Sequence, residues 1–129
     1  PEGNKLEWQA TVNKSPDDHA TLRRYLDAVF TWANTVSLAR QAQPVAPADV
    51  APGDFFVLPG NPGHAVLVLD LARASDGRMV ALLGQGFMPA QSFHVLRPNA
   101  STTWFSLDPA SDVKTPFWRP FPWSSLRRL

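Results

Sequence analysis

The sequence predicts an α+β fold: one long amphipathic helix followed by an antiparallel meander sheet of about four to six strands. Three observations carry this expectation. Apolar residues recur at helical spacing early in the chain. From residue 54 onward they gather instead in short runs broken by Gly and Pro. Proline, 13 of 129 residues, concentrates between these runs, as stiff loops between short elements require.

The elements follow in order. "LEWQATV", Leu6 to Val12, alternates weakly and suits an edge strand. Ser15 is an N-cap, Pro16 fits the first helical position, and Asp17 and Asp18 suit the positive end of a helix dipole. Leu22, Tyr25, Leu26, Val29, Phe30, Ala33 and Val36 then form one stripe, with Arg23, Arg24, Asp27, Thr31 and Asn34 on the wet face. This predicts a single helix from about Pro16 to Gln41. "QAQPVAPADVAPGD" reads as a linker that wraps a surface. Strands are expected at Asp54 to Leu58, His64 to Leu71, Arg78 to Gln85, Gln91 to Arg97 and Thr102 to Leu107. The second of these is apolar on both faces and so central. "SDGR", Ser75 to Arg78, signals the hairpin turn before the third. The tail "TPFWRPFPWSSLRRL" holds too much Pro for regular structure until its last residues.

Length and composition set the bounds. A chain of 129 residues suits one domain, and 44% hydrophobic residues suffice for a core. A net charge of +1 creates no strong field for nucleic acid or an acidic membrane. There is no Cys, so a disulfide, a Cys-bound metal or a Cys nucleophile within these residues is excluded. No stretch approaches the roughly 20 apolar residues of a membrane span. The opening "PEGNKLEW" is already strand-like and lacks an initiator Met, which leads us to expect the C-terminal part of a larger domain.

One residue invites chemistry. His64 follows Gly60-Asn61-Pro62-Gly63 and stands at the mouth of the central strand. A general base needs a fixed ring and a polar partner on its second nitrogen. If the next loop spans about Arg73 to Gly77, Gln85 faces His64; a tight Asp76-Gly77 turn would separate them, and a one-residue slip would put them on opposite faces. The plainer reading is that His64 caps a turn and Gln85 bonds backbone. Beside them, "GQGFMPAQSFH" flanks Gln85 with Gly84 and Gly86, sets Phe87, Met88 and Pro89 at an apolar corner, and adds Gln91 as a second amide. This reads either as a substrate-binding groove wall formed by Phe87, Met88 and Gln91 or as a bulged strand corner.

Other chemistries have less to stand on. His19, His64 and His94 form no metal-binding pattern, and Asp54 before a strand is more often a turn residue, so neither a metal nor another cofactor is expected. No hydroxyl lies in a nucleophile-elbow setting. Trp8, Trp32, Trp104, Trp118 and Trp123, with Arg119, Arg127 and Arg128, make no basic stripe with interleaved aromatics, so nucleic acid is not an expected partner.

"APGDFFVLPGNPGHAVLVLDLA", "ALLGQGFMPAQSFHVL", "WFSLD" and "KTPFW", with the helix "YLDAVFTWANTVSLARQ", resemble the C-terminal part of an uncharacterised bacterial family, domain of unknown function 4846. The words P-G-H-A and G-Q-x-x-M-P-A-Q, in that order, carry the resemblance over nearly the whole chain. More distantly, Gly-Asp, strand, Gly-His, apolar strand and a polar residue on the next strand are similar to NlpC-type and other papain-like cysteine hydrolases, which cut peptide or amide bonds, often in cell-wall peptide. That similarity implies His64 as catalytic base and Gln85 as the residue that orients it. It also implies a nucleophilic Cys on an upstream helix, supplied by a missing N-terminal segment or a second polypeptide. The family resemblance suggests an exported or cell-envelope location. The alternative is a non-catalytic binding or scaffold module whose aromatic loops contact a peptide or glycan ligand.

Overall fold

The computed structural model describes residues 19–87 and 91–129. The expected strand at Leu6–Val12 and the expected helix start at Ser15–Asp18 lie outside these residues. The chain divides into two compact units, residues 1–33 and 34–129. Among the described residues the fold is α+β, with two α-helices and an open antiparallel sheet of seven strands.

The single long helix is the main correction. Helix α1 spans His19–Trp32 and belongs to the first unit; none of its residues is buried. Helix α2 spans Thr35–Gln41 in the second unit. The break lies at Asn34, which has extended backbone angles. Its side-chain oxygen accepts the Val36 and Ser37 N–H groups, both at 2.9 Å, and its own N–H donates to Ser37 Oγ at 3.0 Å. This reciprocal cap satisfies donors that a new helix start leaves orphaned. The spacing had placed Asn34 on the wet face of a continuous helix; its preference for capping outweighs the periodicity.

The strands are β1 (Gln43–Pro44), β2 (Phe55–Leu58), β3 (His64–Arg73), β4 (Met79–Phe87), β5 (Gln91–Val95), β6 (Trp104–Leu107) and β7 (Leu126–Arg128). Their order is β1-β7-β2-β3-β4-β5, with β6 also paired to β4. The sheet exceeds the expected strand number because β1 forms inside the presumed linker and β7 at the end of the Pro-rich tail. Strand β3 is central, as its two apolar faces require. Val66 and Val68 join a large core with Phe56, Leu83, Phe121 and Leu126. On the opposite face, Ala65 and Leu67 pack with Phe55, Val57 and the α2 residues Leu38 and Ala39.

"APGD" sets the entry to β2. Asp54 N–H donates to the Ala51 carbonyl at 3.1 Å across Pro52 and Gly53, and Gly53 has φ +93°, the left-handed position that such a turn demands of its third residue. Gly53 N–H and the Asp54 carbonyl then both engage Val68, so two residues oppose one in a glycine bulge. The Asp54 carboxylate, 1% exposed, receives Arg128 Nε at 2.6 Å, Arg128 Nη2 at 2.9 Å and Ala51 N–H at 2.8 Å. This two-pronged pair fastens the end of β7 to the start of β2. The Arg128 hydrogen bond holds the Asp54 carboxyl below its ordinary value of 3.8, against the opposing effect of burial; the Ala51 N–H and the Arg128 charge add to the lowering.

Two outcomes are expected. Asn34→Ala should lower stability by about 1 kcal/mol in urea unfolding, the usual loss for an N-cap. Asp54→Asn should cost about 1–3 kcal/mol at neutral pH. Because the folded carboxyl titrates below the unfolded one, the unfolded chain binds more protons between the two values. Asp54 therefore contributes fully above about pH 4 and less as pH falls through the folded value. The gap between wild type and Asp54→Asn should narrow in unfolding curves taken below about pH 4; a gap independent of pH there would contradict this account.

Candidate functional site

The site rests on the ladder between β3 and β4. The connecting turn is a three-residue loop, Ser75 to Gly77. Ala74 N–H donates to the Arg78 carbonyl at 2.8 Å, and Gly77 N–H donates to the Ala74 carbonyl at 2.9 Å. Neither expected turn forms: the tight Asp76-Gly77 turn is absent, and β3 runs on through Arg73, so the loop is shorter than Arg73 to Gly77. From there Arg73 pairs with Met79 and Asp70 with Leu82. The register then slips by one residue at Leu69 and resumes with Val68 opposite Leu83 and Leu67 opposite Gly84. One pair further, Val66 stands beside Gln85. His64 is two residues from Val66 and shares its face, so His64 and Gln85 are diagonal neighbours, within reach of a long side chain.

They meet. His64 Nε2–H donates to Gln85 Oε1 at 2.6 Å, with His64 8% and Gln85 2% exposed. An amide oxygen only accepts, so this bond places the proton on Nε2 and leaves Nδ1 as the basic nitrogen of the neutral ring. Among the described residues no hydrogen bond engages Nδ1.

Three aromatic rings surround the imidazole. Phe87 approaches edge-on at 5.2 Å between ring centres, Trp118 lies at 4.8 Å, and Phe121 at 6.2 Å. Trp118 and Phe121 come from the Pro-rich tail. Val113 and Phe121 exchange two backbone hydrogen bonds of 2.9 Å, closing the loop between them and laying it over the His64 face. At its tip Phe117 has φ +67° and is 85% exposed. Sequence reasoning weighed Trp118 only as a nucleic-acid contact and placed none of these tail rings beside His64. The signal was there: bulky rings in a segment that forms no ladder must still bury themselves somewhere.

Among the described residues, three buried polar atoms have no hydrogen-bond partner: Gln85 Nε2, Trp118 Nε1 and Thr115 Oγ1. Each such atom costs about 1–3 kcal/mol. Two of the three belong to side chains that touch His64.

Of the expected site residues, His64, Gln85 and Phe87 come together. Gln91 pairs with Phe87 across β4 and β5 but is exposed and makes no hydrogen bond to His64 or Gln85. Met88 lies outside the described residues. Gly84 does not open the surroundings of Gln85, since a Cβ there would meet the Phe93 and Leu69 side chains. Asp54 is committed to Arg128, and no group of three possible metal ligands occurs among the described residues.

The family model for a domain of unknown function, number 4846, matches residues 1–128, and the chain belongs to that family. No curated protein and no solved structure matches it.

The tautomer is directly measurable. Nitrogen-15 NMR of the imidazole should find the proton of neutral His64 on Nε2. Gln85→Leu keeps the volume but removes the acceptor, and should release the ring to a mixture of tautomers while stability stays within about 1.5 kcal/mol. A fixed Nε2–H signal in that variant would mean that the aromatic rings, and not Gln85, set the proton.

Proposed function

We propose that this chain carries the base-bearing sheet of an amide or peptide hydrolase of papain-like type. His64 would be the base and Gln85 the residue that fixes its tautomer. The observation that carries the reading is the 2.6 Å bond from His64 Nε2 to Gln85 Oε1, which orients the ring and leaves Nδ1 to take a proton. The unpaired donors Gln85 Nε2 and Trp118 Nε1 support it, because a substrate oxygen beside the imidazole would meet their need. The sequence contains no Cys, so the thiol would come from outside these residues, on a preceding segment or a second polypeptide. It would reach His64 from the face of the large core. Helix α2 packs against Ala65 and Leu67 on the other face. Cell-wall peptide is the substrate class, and a cell-envelope location the setting, that this reading favours.

A second reading has its own observation. Phe117 holds an exposed ring in a backbone region that bulky residues rarely occupy. Together with Trp118 it would suit a non-catalytic module that grips a peptide or glycan, with His64 as a packing residue.

The test is peptide-bond cleavage in cell-wall peptide by the protein purified from its native source, with and without iodoacetamide. The hydrolase reading expects thiol-sensitive turnover that His64→Ala lowers by about 10²–10⁴-fold. Retained turnover in that variant, or none in the wild type, would reject it. Saturable binding of the same peptide without turnover, lost in Phe117→Gly, would establish the module.

A further inference from the structure

A second site lies at the other end of β3. Arg73, Met79 and Leu107 stand side by side across β3, β4 and β6, since Arg73 pairs with Met79 and Met79 with Leu107. Directly paired residues share a face. Leu107 is buried in the large core and Met79 packs against it, so this row forms the floor of a surface on the core side of the sheet. Above it opens a cleft of about 660 Å³, walled by Pro47, Pro109 and Trp123. That volume is within the range of about 300–1,000 Å³ typical of small-molecule sites.

The walls are already fixed. The Trp123 indole N–H donates to the carbonyls of Asp108 at 2.9 Å and Ser111 at 3.1 Å, and its ring meets Phe56 edge-on at 5.5 Å. The indole therefore cannot swing, and its position costs a ligand nothing to arrange.

The charges are unevenly committed. Arg78 lines the cleft but is engaged: Nε donates to Asp76 Oδ2 at 2.7 Å and Nη1 to Ser106 Oγ at 3.2 Å. Arg73 donates only Nη1 to the Gly77 carbonyl, at 3.3 Å, and among the described residues no carboxylate pairs with it. A guanidinium with unused donors at one end of an apolar row is a carboxylate receptor. Asp108 follows Leu107 at the opposite end, its Oδ1 taking the Ala110 N–H at 2.9 Å. Two strand spacings of ~4.8 Å separate the row's ends. The cleft thus presents, over about 10 Å, a cation, an apolar floor and wall, and then an anion.

We propose that this cleft binds an amphipathic monocarboxylate with a flat apolar body. The carboxylate sits on Arg73, and the body lies over Met79 and Leu107 against Trp123. Asp108 repels a second negative charge at the far end, so a dicarboxylate of the same shape is disfavoured.

Isothermal titration of the full chain with 2-naphthoate, 2-naphthylmethanol and naphthalene-2,6-dicarboxylate tests this. 2-Naphthoate should bind with a sub-millimolar Kd, at least tenfold more tightly than either of the others. Arg73→Met should weaken 2-naphthoate at least tenfold and leave 2-naphthylmethanol unchanged. Asp108→Asn should bring the dicarboxylate to within about threefold of 2-naphthoate. Circular dichroism of both variants checks that the sheet is intact; both positions are exposed, and neither belongs to the His64 site. Equal affinity for the acid and the alcohol would overturn the Arg73 assignment. Absence of binding to wild type at millimolar ligand would overturn the site itself.

Discussion

The ladder between β3 and β4 has two halves that are out of step by one residue, and Leu69 absorbs the difference. Side chains alternate across a strand, so one extra residue exchanges the faces on either side of it. Before the bulge, His64, Val66 and Val68 point to the large core; after it, Leu71 does so instead. Both halves can therefore bury their apolar residues on one side of the sheet. Without the slip, burying one half would expose the other. The same constraint sets His64 and Gln85 on one face at one end of β3, and Arg73 beside Met79 on that face at the other end.

Closure of the core depends on the tail. Strand β7 is only three residues long, Leu126–Arg128, yet it sits between β1 and β2. A strand this short has little ladder to hold it. The Asp54–Arg128 pair supplies an anchor, and Leu126, fully buried, supplies apolar contact. Once β7 is in place, the chain before it must run back across the large-core face, which carries Phe121 and Trp118 onto His64. A charge pair between β7 and β2 thus bears on the environment of an imidazole on another strand. Burial alone would raise the Asp54 carboxyl, and the net lowering means that the charge-assisted hydrogen bonds outweigh desolvation there.

Much of this was legible in the chain. Strands β2 to β6 fall within a few residues of their expected bounds, because Val, Leu and Phe runs between Gly and Pro leave few alternatives. The His64–Gln85 contact depended on the turn: Ser75-Asp76-Gly77 forms a three-residue loop, between the two lengths expected, and with the slip at Leu69 it sets Gln85 diagonal to His64 and not directly opposite it. The single helix failed at Asn34, where the local pattern N-x-x-S states a cap that the apolar spacing overrides on paper but not in the fold. The two shortest strands failed for a different reason. Neither Gln43–Pro44 nor Leu126–Arg128 has enough residues to show a period; each exists because its partner does. The same holds for the rings around His64, since nothing in a Pro-rich tail says which strand it will cross.

The two ends of β3 differ in what their surroundings ask for. At His64 the polar atoms left over are donors inside an aromatic shell, where leaving them unpaired is expensive and an oxygen acceptor is the remedy. At Arg73 the unused donors face solvent, where they cost little, and what distinguishes them is the rigid apolar surface alongside. Nine residue steps of ~3.3 Å place the two ends about 30 Å apart. A ligand small enough for one cannot touch the other. The first half of the strand that joins them is packed on both faces, with Val66 and Val68 on one side and Ala65 and Leu67 on the other. Such packing resists continuous deformation, which holds the His64 end of the strand in place. The sheet is best understood as a spacer that holds the His64 cluster and the Arg73 cleft apart on a single face.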